Sequence, residues 1–171
     1  NNLEKRSQEL SGNSRYIAEY YVSEVLPRKY PEMISYLLDI SILDRFCVDL
    51  CSHIHKNLMK DQSDISAEKF IRWLSENNLF IIALDNEGSW FRYHHLFRDL
   101  LKKMLRRQST TNRIDSLNRA AGEWFAQNGL LEEAVRHFLA AGDIDTAVVV
   151  IRENRYLLMN TSQFTRFHRL M

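Results

Sequence analysis

Between two long stretches whose apolar residues recur every three or four positions lies one short stretch in which they do not. Leu79-Phe80-Ile81-Ile82-Ala83-Leu84 is a continuous β-prone run, Asp85-Asn86-Glu87-Gly88 is turn chemistry, and Trp90-Phe91-Arg92-Tyr93 is a second β-prone run. One hairpin in an otherwise helical chain places the protein in the mainly α class. Breakers are scarce elsewhere, with two Pro and five Gly in 171 residues, and a 45% hydrophobic content is enough for a real core.

Upstream of the hairpin, Ser11-Gly12-Asn13-Ser14 is a stop and cap, and Ile17, Tyr20, Tyr21 and Val25 predict a first helix over about 15–26, ending at Pro27. Pro31 suits the first turn of a second helix, with Met33-Ile34 and Leu37-Leu38 on its apolar face. Ile42, Leu43, Phe46, Cys47, Leu50, Cys51 and Ile54 predict a third amphipathic helix that follows at once. After a polar loop over 57–65, Ser66 caps a fourth helix carrying Phe70, Ile71 and Leu74, closed by Asn77-Asn78. Beyond the hairpin, Leu96, Phe97, Leu100, Leu101, Met104 and Leu105 return to helical spacing.

Gln108-Ser109-Thr110-Thr111-Asn112 is polar and rich in capping residues, the expected linker, with Asn112 as the next cap. Ile114, Leu117, Ala120, Ala121, Trp124 and Phe125 form one helix that stops at Asn128-Gly129. Leu131, Ala134, Val135, Phe138 and Leu139 form its partner; Ala141-Gly142-Asp143 is a stop and cap, and Ile144, Ala147, Val148 and Ile151 begin another helix. Short helices joined by short turns, with small residues at close approaches, are the arithmetic of tetratricopeptide-like helical hairpins, and Leu157-Leu158 to Phe167-Leu170 would start a further unit.

Helices followed by a hairpin, with one helix directly before the first strand, is the order of a winged-helix module whose wing is the hairpin. Direct DNA reading by such a module needs a positive helix face, but the helix in the recognition position offers Glu68, Lys69, Arg72 and Glu76, with Trp73. The whole chain carries 23 Lys+Arg against 22 Asp+Glu, a net charge of +1, which argues against a phosphate-backbone partner. Arg98, Lys102, Lys103, Arg106 and Arg107 read as a basic helix end favoured by the helix dipole and solvation. Cys47, Cys51 and His55 share one helical face but sit among apolar neighbours and read as core rather than as a metal site or disulfide. There is no glycine-rich phosphate loop, no His-Glu-x-x-His and no Gly-x-Ser-x-Gly, so the chain is expected to be catalytically inert. With no long apolar stretch and no signal segment, it is expected to be cytoplasmic and away from membranes.

The run Trp90-Phe91-Arg92-Tyr93-His94-His95-Leu96-Phe97-Arg98-Asp99-Leu100-Leu101 resembles a segment of MalT-like ATP-dependent transcriptional regulators, of the LuxR type and the STAND class of signalling NTPases. Tyr20-Tyr21-Val22-Ser23-Glu24-Val25-Leu26, Ser41-Ile42-Leu43-Asp44-Arg45-Phe46-Cys47, Asn78-Leu79-Phe80, Ala121-Gly122-Glu123-Trp124-Phe125 and Glu133-Ala134-Val135-Arg136-His137-Phe138 fall in the same order. The resemblance implies an interior fragment: 1–12 as the tail of a preceding NTPase region or disordered, 13–110 as a regulatory winged helix, and 111–171 as the start of a helical-repeat array. It implies that the full-length protein binds ATP or ADP, and that the winged helix packs on the NTPase domain and the downstream repeats. DNA would be read only through a separate C-terminal helix-turn-helix. It also implies that His94 senses the nucleotide, since Tyr93-His94-His95 aligns with a Met-His-Asp type motif, with Tyr93, His95 and Arg92 in possible support. Imidazole is a compact donor suited to a phosphate. Without the resemblance, His94 reads as a polar residue satisfying a backbone group at a strand-to-helix junction. Two other functions remain open: a helical-repeat adaptor for a peptide or protein partner, and a DNA-binding winged helix.

Overall fold

A π-helical turn over Tyr21–Val25 passes directly into α1, Leu26–Lys29. Pro27 lies in the first turn of α1, directly after the π-helical turn, and the helical run continues past the position at which the sequence predicts its end. The computed structural model describes residues 20–58, 65–77 and 80–154. The start of the first helix, most of the 57–65 loop and the last repeat unit lie outside them.

α2, Pro31–Ile40, buries Met33, Tyr36, Leu37, Leu38 and Ile40. The Ser41 hydroxyl then donates to the Leu38 carbonyl at 2.6 Å and closes it. The third helix expected to start at Ile42 begins only at α3, Val48–Leu58. Leu43 and Phe46 are buried as foreseen, but in non-helical backbone. Phe46 and Phe91 exchange two backbone hydrogen bonds of 2.8 Å, so one residue from before α3 lies beside the wing as a single-residue third strand. This long-range pairing satisfies both Phe46 backbone groups and replaces the local helical bonds.

α4, Ala67–Glu76, starts where Ser66 accepts from the Lys69 amide at 3.2 Å, as its sequence predicts. The wing consists of β1, Ile81–Ala83, antiparallel to β2, Phe91–Tyr93, with Ile82 opposite Arg92. Both strands are shorter than the β-prone runs. Between them Asp85 accepts from the Ser89 and Trp90 amides at 2.8 and 3.0 Å, and Gly88 takes φ +65°, which suits the absence of a Cβ.

α5, His95–Gln108, leads to α6, Thr111–Gln127, through Ser109 and Thr110 alone. The expected five-residue linker is thus a tight corner, and the cap is Thr110, accepting from the Arg113 amide at 3.3 Å, with Asn112 inside the first turn. α7, Leu131–Ala140, follows Gly129 at φ +73°, and α8, Ile144–Glu153, is capped by Asp143, which accepts from Thr146 at 3.2 Å. α6 packs on α7 and α7 on α8, giving the expected antiparallel helical hairpins, while α6 also packs on α3. One buried apolar cluster therefore runs from Val22 through Phe46, Phe70 and Phe97 to Phe125 and Ala147. Each fully buried Phe contributes roughly 1.5–3 kcal/mol by removal from water. The architecture is mainly α with one small sheet, in the element order of a winged helix. Among the described residues, no helix is long and apolar enough to cross a membrane.

Candidate functional site

His94 stands where the wing turns into α5. Its backbone amide donates to the Phe80 carbonyl at 2.6 Å, tying the junction to the entry of β1, and its own carbonyl accepts from Arg98 to begin the helix. His94 is the N-cap residue of α5 but makes no side-chain cap bond. The leading amides of a 14-residue helix therefore lack a side-chain acceptor beside the positive end of its dipole. Neither ring nitrogen of His94 is hydrogen-bonded or sealed from solvent, although the residue is half-buried. His94 thus sits at the strand-to-helix junction and meets the Phe80 carbonyl through its own amide, while its ring makes no cap bond.

The neighbours divide sharply. His95, the first residue of α5, is exposed, and its ring lies 4.3 Å from that of His94. Arg92 is exposed on β2. Tyr93 is not beside them at the surface: period-two alternation turns it into the core, 3% exposed, against Phe46 and Phe97 at 4.9 and 5.5 Å. Burial holds its phenol well above the ordinary range. Tyr93 can only position His94 through packing. An imidazole without a hydrogen-bond partner, a second imidazole beside it and an uncapped helix start are features that suit an anion such as a phosphate, and Arg92 lies two residues earlier on β2.

Phe80 was not foreseen as part of this site. It adopts φ +52°, a left-handed conformation costing a bulky residue on the order of 1–3 kcal/mol, while its ring packs on Phe97 at 5.2 Å. No local signal distinguishes it from the strand-forming residues that follow.

On the recognition-position helix α4, Glu68, Lys69, Arg72 and Glu76 are exposed, a face of mixed sign, but Trp73 is buried against Tyr30 and Phe70 rather than offered on that face. Cys51 is buried and burial raises its thiol, Cys47 precedes α3, and His55 stacks on Tyr36 at 4.7 Å. Among the described residues, no group of three His, Cys, Asp or Glu side chains could hold a metal ion. Trp124, expected as repeat packing, also meets the wing: its ring lies edge-on to Trp90 at 6.1 Å, and the Arg45 guanidinium covers Trp90 at 4.6 Å.

The family model of the MalT winged helix domain matches residues 22–113. Among curated proteins, the serine/threonine-protein kinase PknK of Mycobacterium tuberculosis is 33% identical over 156 residues, 91% of this chain and 13% of that protein. The HTH-type transcriptional regulator MalT of Cronobacter sakazakii is 26% identical over 164 residues, 95% of this chain and 17% of that protein. MalT of Yersinia enterocolitica is 26% identical over 161 residues, 94% of this chain and 17% of that protein. The chain thus spans less than a fifth of the length of these relatives.

Proposed function

From the premise that this chain belongs to the MalT winged helix domain family, we propose that it is a non-catalytic regulatory segment of an ATP-dependent transcriptional regulator. In this reading the winged helix packs on an NTPase domain and reports the bound nucleotide, and α6 to α8 open a tetratricopeptide-like array. Relatives named as a kinase and as transcriptional regulators share this segment. A role in internal control suits both kinds of protein, whereas a kinase active site or a DNA-reading helix suits only one. Catalysis, LuxR-type DNA binding and a place in the cytoplasm would then belong to the whole protein.

The observation that carries the reading is the imidazole of His94, unpartnered at the uncapped start of α5. It is free to donate to a phosphate of ADP held by the neighbouring domain, with His95 and Arg92 at the rim. Contacts present with one nucleotide and absent with another supply the differential free energy that a switch requires. A hydrogen bond to a charged group contributes about 1.5–3 kcal/mol. In the full-length protein, His94→Ala should therefore weaken ADP binding by roughly 10- to 100-fold and raise basal transcriptional output. Unchanged ADP affinity rejects the assignment.

A second reading has its own observation. Leu139, Ile144, Val148 and Ile151 are exposed on α7 and α8, and an apolar face of this kind suits a peptide or protein held by the repeats. For direct DNA binding, the mixed charge of α4 is unfavourable; salt-dependent retention of the chain on random duplex would revive it.

A further inference from the structure

Away from His94, a cleft of about 290 Å³ opens where the 41–47 segment, α5, α6 and α7 meet. Its charged lining is Asp44, Lys102, Arg106 and Arg136, three cations to one anion. Asp44 is already committed, because it pairs with Arg136 at 2.7 Å and with Arg98 from the side. Neither Lys102 nor Arg106 has a carboxylate within ion-pair distance among the described residues. A half-buried lysine beside a second unpaired cation is costly unless something anionic occupies the space.

The floor of the cleft is polar in a defined sense. Asn118 donates its amide to the Ile114 carbonyl at 2.9 Å, so its oxygen faces His137 Nδ1 at 3.0 Å. That oxygen can only accept, which puts the imidazole proton on Nδ1 and leaves Nε2 as a lone-pair acceptor. His137 lines the cleft, 5% exposed, and is locked by its stack on Phe125 at 5.4 Å. Leu105 and Ile114 supply an apolar wall.

We propose that this cleft is a binding site for a small organic dianion, a phosphate monoester or a dicarboxylate, whose charge meets Lys102 and Arg106 and whose hydroxyl, where it carries one, donates to His137. It is distinct from the His94 site and does not depend on it. Burial lowers the Lys102 ammonium from its ordinary range, and beside it Arg98 and Arg106 act in the same direction while Asp44 and Asp99 oppose them. Because the walls come from both the winged helix and the first helical hairpin, a bound dianion would brace the two against each other.

The test uses the 171-residue chain. Its unfolding midpoint is followed against inorganic phosphate, succinate and chloride at matched ionic strength, and amide shifts are mapped with the same probes. Phosphate or succinate should raise the midpoint saturably, by about 3–6 °C at ten times its dissociation constant. Amide shifts should centre on Leu105, Asn118 and Ala140. Saturation by phosphate alone assigns a phosphoryl group, and saturation by succinate alone assigns a dicarboxylate; either supports the site. In Lys102→Gln/Arg106→Gln the rise should vanish while the far-ultraviolet spectrum is retained. An equal rise in that double variant, shifts centred elsewhere, or no effect beyond that of chloride overturns the proposal. If the double variant does not fold, the shift map of the unaltered chain decides alone.

Discussion

At Gly122 a missing side chain sets how closely α6 and α7 approach. A Cβ there would lie 2.9 Å from Cε1 of Phe138, a ring that is 2% exposed. Gly122→Ala gains helix propensity of roughly 1 kcal/mol but overpacks the core, at a cost of about 1–3 kcal/mol. The expected outcome is a net loss of about 1 kcal/mol in urea unfolding, relieved when Phe138→Leu is added. Two buried titrating groups oppose each other at the same scale. Burial pushes the Asp39 carboxyl up to about 6 despite Arg113 at 2.7 Å, and burial followed by Arg136 pushes His137 down to about 4. Between pH 4 and 6 the folded chain holds a proton on Asp39 that the unfolded chain has released, so rising pH lowers stability. His137 refuses a proton that the unfolded chain takes up, so rising pH through the same window raises it. Each amounts to at most about 3 kcal/mol, and they largely cancel. Asp39→Asn should make stability climb more steeply from pH 4 to 6 than in the unaltered chain, and His137→Gln should make it decline. Parallel pH profiles for all three would contradict both assignments. Ser66, Asp143 and Gly129 were legible in the sequence because caps and stops act within one turn. Tyr93, Phe80 and the free cations of the cleft were not, because their roles are set by residues distant in the chain.

Among the elements, the segment before α3 shows where periodicity misleads. Ile42, Leu43, Phe46 and Cys47 have helical spacing, and Leu43 and Phe46 are buried, yet a buried turn followed by one extended residue produces the same pattern. What decides is Phe91, 45 positions along the chain, which takes both Phe46 backbone groups. The corner between α5 and α6 erred in the other direction. A polar, cap-rich run signals a linker, but Thr110 caps so early that only Ser109 and Thr110 remain outside helices. Thr110→Ala should lower stability by about 1 kcal/mol, read as a fall in the urea midpoint, and Thr110→Ser should restore most of it.

Across the whole molecule, the winged helix and the first helical hairpin are joined by the Trp90–Trp124 contact, the Arg45–Glu133 pair, the Asp44–Arg136 pair and the Arg113–Asp39 pair. The exposed Asp44–Arg136 pair is worth no more than about 1 kcal/mol, and the shared apolar cluster, which spans both parts, is the larger source of coupling. Tryptophan fluorescence and far-ultraviolet circular dichroism should therefore report one coincident unfolding transition; two separated transitions would show independent units. The mainly α class and the order of elements were readable because each needs only local pattern. The continuity of the core across the corner at Ser109 was not, since it arises from the meeting of α3 with α6. The Phe46–Phe91 pairing also sets a timetable. Two strands of three residues each cannot hold together alone in water. A chain emerging from the ribosome can assemble α2 and α3 early, but the wing must wait until Phe91 has cleared the exit tunnel and the loop back to Phe46 has closed. Until then the fully buried Phe46 ring of the finished fold is an exposed, sticky surface, so the stretch of synthesis between these two residues is when the nascent chain is most open to capture by a chaperone.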